Sequence, residues 1–221
     1  MSSSDLPKLE IFYIRHASTT RVYDGRDACD CDISDVGVQE AELLADRLAG
    51  LEFDAVLCSP LVRCVKTAAA VCRKLAGHPA IEIVPELIEK GSTPNYAGAG
   101  IEYLSRYYDN IIQCPDLIFG EAPGVFPNKD KPEIMDRARA VVDYLRERFP
   151  YGKRILIFSH GSFGNSLLPS AVGIREEDFI FNIYHTSVSK IQYTPDGRNR
   201  IVFMNDVSHL IPIKPDYMFT L

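Results

Sequence analysis

Ile11-Phe12-Tyr13-Ile14-Arg15-His16 decides how this chain is read: four apolar residues in a row, followed at once by a guanidinium and an imidazole. The pattern returns twice. Ala55-Val56-Leu57-Cys58 runs into Ser59-Pro60, with Arg63 just beyond, and Ile155-Leu156-Ile157-Phe158 runs into Ser159-His160-Gly161. Short apolar runs bounded by polar or turn-forming residues, alternating with helical patterns, read as strands buried on both faces of a parallel sheet. Ligands bind beyond the carboxyl ends of such strands. Two histidines and two arginines, far apart in sequence, are therefore expected to meet there.

Helical patterns do fall between the runs. Ala41, Leu44, Ala45 and Leu48 keep one helical face apolar, behind Ser34 as a candidate N-cap. A second helix is expected to start near Pro60, with Leu61, Val65, Ala68, Cys72 and Leu75 as its stripe. Arg63 lies off that stripe, in a first turn whose exposed N–H groups favour an anion. Residues 81–84 suggest another strand, and Ile134, Ala138, Val141, Val142 and Leu145 another helix. A further helix is expected over 165–172, shortened by Pro169. Residues 187–193 and 201–204, on either side of Thr194-Pro195-Asp196-Gly197, read as a closing hairpin. The expectation is one domain over 1–221, a three-layer α/β/α sandwich with a mostly parallel central sheet. From about 91 to 131 the periodicity fades, except around 101–112, and prolines, glycines and aromatics accumulate, which reads as a lid or insert.

Composition narrows the classes. With 221 residues, 46% of them apolar and 24% charged, the chain can bury a sizeable core, and a net charge of −6 argues against a broad nucleic-acid-binding face while allowing a local basic pocket. No run reaches the roughly 18 apolar residues of a membrane span, and the first residues lack the basic flank and apolar core of a secretory signal. A cytoplasmic protein without membrane contact is expected, and its six cysteines are then free thiols. Cys29-Asp30-Cys31 has no second Cys or His pair nearby and a spacing too tight for chelation, so no metal site is expected there.

The candidate chemistry follows from what a phosphate monoester demands: charge neutralisation, a nucleophile and an acid for the departing oxygen. Arg15 and Arg63 can each present a planar fork of donors. His16 can attack through one ring nitrogen if the other donates to a backbone carbonyl and fixes the tautomer. His160, with the Gly161 backbone beside it, can donate to the transferred oxygens. Glu89 is the candidate acid, with Glu86 as its competitor. Taken singly, each of these residues is ordinary; three strand ends converging is not. Spacing alone leaves His16 and His160 level as nucleophile.

Ile14-Arg15-His16-Ala17-Ser18-Thr19 resembles the RHG signature of the histidine phosphatase superfamily, whose fold is that of phosphoglycerate mutase. Residues 33–41 resemble its LSxxGxxQA helix start, residues 59–68 its SPLxRxxxTA segment, Leu87-Ile88-Glu89 its L-x-E, and Ser159-His160-Gly161 its second-histidine motif. Asn205-Asp206-Val207-Ser208-His209-Leu210 is similar to a C-terminal segment of some phosphatase members. The resemblance implies a phosphohistidine on His16, a phosphate pocket of Arg15, Thr19, Arg63, His160 and Gly161, Glu89 as proton donor, and neither metal nor cofactor. It implies a phosphomonoesterase acting on a small phosphorylated substrate. A mutase is the alternative, disfavoured because the Asn and Trp usual after RHG are missing and the chain has no Trp. A non-catalytic phospho-ligand module is the other, since Ala17 stands where the signature has glycine. Tyr96, Tyr103, Tyr107, Tyr108, Phe119 and Phe126 crowd the expected lid and would suit an apolar leaving group or simple packing.

Overall fold

The computed structural model describes residues 8–90, 98–115, 118, 131–174 and 181–218. Its centre is a seven-stranded sheet. The strands are β1 (Leu9–Arg15), β2 (Ala55–Cys58), β3 (Ile81–Ile83), β4 (Ile111–Gln113), β5 (Arg154–Ser159), β6 (Val188–Tyr193) and β7 (Arg200–Asp206), in the order β4-β3-β2-β5-β1-β6-β7. The first five in that order run parallel, and β6 and β7 add an antiparallel hairpin beside β1.

Side-chain alternation along the strands builds the layers. Phe12, Ile14, Val56, Cys58, Leu156 and Phe158 pack against α1 (Asp35–Leu48) and α2 (Val62–Lys74). Leu9, Ile11, Tyr13, Leu57, Ile155 and Ile157 face the opposite way, onto the helices α4 (Lys131–Arg148) and α5 (Gly161–Ala171). Each fully buried large apolar side chain stabilises this arrangement by about 1.5–3 kcal/mol. Phe158, completely buried in the α1/α2 layer, would cost about 3–5 kcal/mol as alanine.

Ser34 caps α1 as expected, accepting from the Gly37 N–H at 3.1 Å. α2 begins at Val62 behind Leu61, and its first free N–H is taken by the Asp30 carboxylate at 2.7 Å. α5 departs from expectation. It starts at Gly161, not at 165, so His160 is its N-cap residue, and Pro169 lies inside it near the end. Its first turn, Gly-Ser-Phe-Gly-Asn, has low helix propensity and no apolar period, and tertiary packing overrides both.

Much of the expected lid lies outside the described residues, Tyr96, Phe119 and Phe126 included. What is described belongs to the body of the protein: the short α3 (Ile101–Leu104) is followed by β4, which pairs with β3. Tyr108 is buried in the α1/α2 layer and donates to the Pro79 carbonyl at 2.8 Å, while Tyr103 and Tyr107 stack edge to face. No helix among the described residues is long and apolar enough to cross a membrane.

Candidate active site

Register puts the three predicted strand ends side by side. Arg15 pairs with Ser159 and Cys58 with Phe158, so Arg15-His16, Ser59 and Ser159-His160 leave the sheet at one carboxyl edge. The His16 N–H donates to the Ser159 carbonyl at 3.0 Å. The Ser159 hydroxyl donates to the Leu87 carbonyl at 2.8 Å and so ties in the segment that carries Glu89.

His16 is 4% exposed, and its Nδ1 lies 2.8 Å from the Ala17 carbonyl. A carbonyl only accepts, so Nδ1 holds the proton and the Nε2 lone pair is left for chemistry. Burial first, then Arg63 and Arg15, keep the ring's pKa well below its ordinary value, so it stays neutral. Ala17 is not among the described residues with positive φ, so alanine carries no left-handed strain in the signature. Its N–H donates to Thr67 Oγ1 at 3.0 Å, and Thr67 in turn donates to the Arg63 carbonyl at 2.7 Å.

Arg63 is buried, held from behind by the Cys29 carbonyl at 2.7 Å, and its Nη2 donates to His160 Nδ1 at 3.1 Å. Because a guanidinium cannot accept, His160 must carry its proton on Nε2, which donates to Ser59 Oγ at 2.7 Å. His160 is thus neutral, its pKa driven down by burial, Arg63, His16, Arg137 and Arg15. As the side chains stand, Nε2 donates to Ser59 and Nδ1 accepts from Arg63; a proton gained on Nδ1 would give that nitrogen the donor role expected toward a phosphoryl oxygen. Arg15 is half-buried, with Nη1 on the Ile183 carbonyl and Nε making no hydrogen bond among the described residues. Its stem passes over Gly161, where a Cβ would meet Nε at 3.1 Å.

Glu89 Oε1 accepts from the N–H groups of Phe163, in the first turn of α5, at 3.1 Å and of Lys90 at 2.9 Å, and Oε2 lies 3.9 Å from His160 Nδ1. Burial raises its pKa against the pull of these N–H groups and both arginines, which suits a carboxyl that must hold a proton. Glu86, fully buried, takes the Ile118 N–H at 3.0 Å instead. Donor atoms of His16, Glu89 and His160 lie within 4.8 Å of one another, close enough for a metal to bridge. Both nitrogens of His160 are engaged, however, and two guanidiniums stand alongside, so the local charge suits an anion.

Thr19 is half-buried and forms a single bridge with Ile33. The hydroxyl tied into the site is that of Ser18. It donates to Glu40 Oε1 at 2.8 Å and lies 3.2 Å from His185 Nδ1, while the Ser18 N–H donates to Glu40 Oε2 at 2.7 Å. Glu40 occupies the glutamine place of the LSxxGxxQA pattern, fully buried and paired with Lys214. Gly37 makes the approach possible: a Cβ there would meet the Ser18 carbonyl at 2.1 Å.

Sequence reading missed His185, whose ring centroid lies 5.4 Å from that of His16, and Arg137. Arg137 is a fully buried guanidinium stacked 4.3 Å from the Phe163 ring, with no nitrogen hydrogen-bonded among the described residues, and burial lowers its pKa to about 10. Thr186, next to His185, has φ +53°. For a β-branched residue that costs about 1–3 kcal/mol and persists only where the surroundings enforce it. Of the five histidines, only His78 lies away from this network, a grouping that the fold creates and the sequence does not show.

A sheet edge that gathers neutral imidazoles, two guanidiniums and a carboxyl whose pKa burial raises defines a phosphoryl-transfer site. Over residues 11–207 the chain matches the model of the histidine phosphatase superfamily, branch 1, and it belongs to that family. A probable phosphatase of Schizosaccharomyces pombe is 25% identical over 215 residues, covering 91% of this chain and 95% of the relative. A metal-independent phosphoserine phosphatase of Arabidopsis thaliana is 25% identical over 206 residues, covering 91% and 83%. The crystal structure of a phosphoglycerate mutase from Bacillus anthracis superposes with a TM-score of 0.65 at 18% identity, covering 94% of this chain and 97% of that one. That last likeness speaks for the fold alone.

Proposed function

We propose that this chain is a metal-independent phosphomonoesterase that takes the phosphoryl group of a small metabolite onto His16 and passes it to water. The observation that carries the reading is the His16–Ala17 hydrogen bond, which directs the free Nε2 lone pair to a site flanked by Arg15, Arg63 and the acid Glu89. In the first step Nε2 bonds to phosphorus as the ester P–O bond breaks, and Glu89 gives its proton to the departing oxygen. In the second, water attacks phosphorus, Glu89 takes a proton back, and the P–N bond breaks to restore neutral His16. Arg15 and Arg63 neutralise the equatorial oxygens, and the first turn of α5 behind Gly161 adds N–H groups.

The curated relatives named as phosphatases support hydrolysis over mutase chemistry, as does Thr20-Arg21-Val22-Tyr23 where the mutase pattern has Asn and Trp. Retention of both histidines, both arginines and Glu89 argues against a binding module. The phosphoserine activity named for the plant relative points to a small, polar phosphorylated substrate. We infer one domain over 1–221 and a cytoplasmic setting, in keeping with six cysteines that form no disulfide, and no nucleic-acid partner, in keeping with the net charge of −6. The test is phosphate release from a panel of monoesters in EDTA, for the wild type and His16→Ala. Turnover in the wild type that the variant loses supports the reading; release that needs added metal, or none from any ester, overturns it.

A further inference from the structure

We propose that His185 is a third histidine of the phosphoryl site, one that gains a proton as the phosphoryl dianion arrives and donates it to a phosphoryl oxygen through Nε2. The proposal rests on the reading above that phosphate lies at His16.

Two sets of side chains, from opposite ends of the sequence, build this histidine into place. On one side stands Glu40. Its carboxylate has no proton to give, so the short Ser18 Oγ contact means that the hydroxyl proton lies toward Glu40. Ser18 Oγ can then only accept from His185, which puts the imidazole proton on Nδ1 and leaves Nε2 as the open nitrogen. Among the described residues Nε2 makes no hydrogen bond, and the ring lies beside that of the nucleophile.

On the other side stands the Asn205–His209 segment, which the catalytic reading leaves without a task. Asn205 Oδ1 accepts from the Tyr184 N–H at 2.7 Å. Asp206 pairs with Arg47, Arg47 donates to His209 Nδ1 at 3.2 Å, and His209 Nε2 donates to Thr186 Oγ1 at 3.1 Å. The Thr186 hydroxyl donates to the His185 carbonyl at 2.8 Å, and the Thr186 N–H donates to the Arg15 carbonyl at 3.0 Å. Two side chains of one segment, Asn205 and His209, thus hold the residues either side of His185, with Asp206 and Arg47 fixing His209 from behind, and they support the left-handed Thr186.

The charges that face His185 are Arg15 from the end of β1, Arg63 from α2 and Lys214 from the C-terminal segment, against the carboxylate of Glu40 on α1, with neutral His16 adjacent. Burial and this cationic surplus hold its pKa near 4. A bound dianion cancels the surplus, and an unprotonated Nε2 would set a lone pair against phosphoryl oxygens. Taking up a proton turns that repulsion into a charge-assisted hydrogen bond.

Sulfate is a suitable probe, being a tetrahedral dianion with no protonation of its own near neutrality. Calorimetry at pH 6.5 in two buffers of different ionisation enthalpy counts the protons taken up per sulfate. The wild type is expected to take up one more than His185→Gln, and the variant to bind roughly tenfold more weakly. Equal proton counts, or no sulfate binding by the wild type, overturn the proposal. Should the variant fail to fold, nitrogen NMR of the wild-type histidines decides: His185 must become protonated on sulfate addition, and a ring that stays neutral sinks the idea. The same protein assayed on phosphomonoesters keeps the two readings apart. Absent hydrolysis with an intact proton difference refutes only the hydrolase reading.

Discussion

Arg63 Nη2 donates to His160 Nδ1 at 3.1 Å, so the guanidinium expected to grip phosphate already holds the imidazole beside it. A phosphoryl oxygen that takes this donor frees the His160 lone pair, with Glu89 Oε2 only 3.9 Å away. Anion binding and the proton inventory of the site are coupled through that one contact. The same guanidinium is anchored through Nη1 on the Cys29 carbonyl, which opposes an outward swing.

Glu89→Gln should separate substrates by leaving group. For alkyl phosphates kcat is expected to fall by roughly 10²–10⁴-fold, while activated aryl phosphates lose far less because their leaving groups need little protonation. Steady-state rates for a matched pair of esters check this. Equal losses would remove Glu89 from the acid role, and Glu86→Gln then becomes the variant of interest.

Gly161→Ala should act on Arg15. The added methyl meets Nε at 3.1 Å and Cζ at 3.3 Å, so the guanidinium must shift by a few tenths of an ångström. An expected loss in kcat/KM of about 10-fold to 10²-fold follows from misplaced binding groups. Thermal unfolding should barely change, since the displaced atoms belong to a long, half-buried side chain.

Thr67→Val keeps the volume and removes the hydroxyl that accepts the Ala17 N–H. A buried donor left without a partner costs about 1–3 kcal/mol. Denaturant titration should show that loss as a lower midpoint at constant slope. Activity should also drop, because the same hydroxyl connects the His16 loop to the Arg63 backbone.

How stability varies with pH follows from the buried histidines. Burial and then Arg47 hold His209 near 4, and His185 is held near 4 as well, whereas both return to about 6.5 when unfolded. Between those values the unfolded chain binds the extra protons, so stability is full above about 6.5 and is lost as pH falls toward 4, by up to about 1.4 kcal/mol per pH unit for each histidine. Melting temperatures from pH 7.5 to 4.5 should decline along that window, and His209→Gln should decline less steeply than the wild type.

The strand ends were legible because each buried strand is a bare apolar run and stops at a residue that cannot be buried unpaired: Arg15, Ser59 or His160. The helices on the α1/α2 face were legible by period. β4 was not, being three residues at a sheet edge with Ile112 44% exposed, which leaves no alternation to read. Nor was the start of α5, whose first turn is held by Glu89 and the sheet rather than by its own propensity. The hydrogen bond that fixes the His16 tautomer could be anticipated, since Ala17 is its chain neighbour. His185 could not, because its meaning comes from Ser18 and Glu40, which only the pairing of β1 with β6 brings near.

β1 lies between β5 and β6, and this arrangement governs when the protein can come together. β2, β3 and β4 can be paired with one another as they are synthesised, but β1, made before all of them, has no partner until more than half the chain has followed. Such distant pairings slow folding, and an apolar strand that waits for them stays open to aggregation meanwhile. Ile11-Phe12-Tyr13-Ile14 is that strand. His16, which follows that strand directly, is therefore held in place only after β5 and then β6 have come to flank β1, and the site takes shape late in folding.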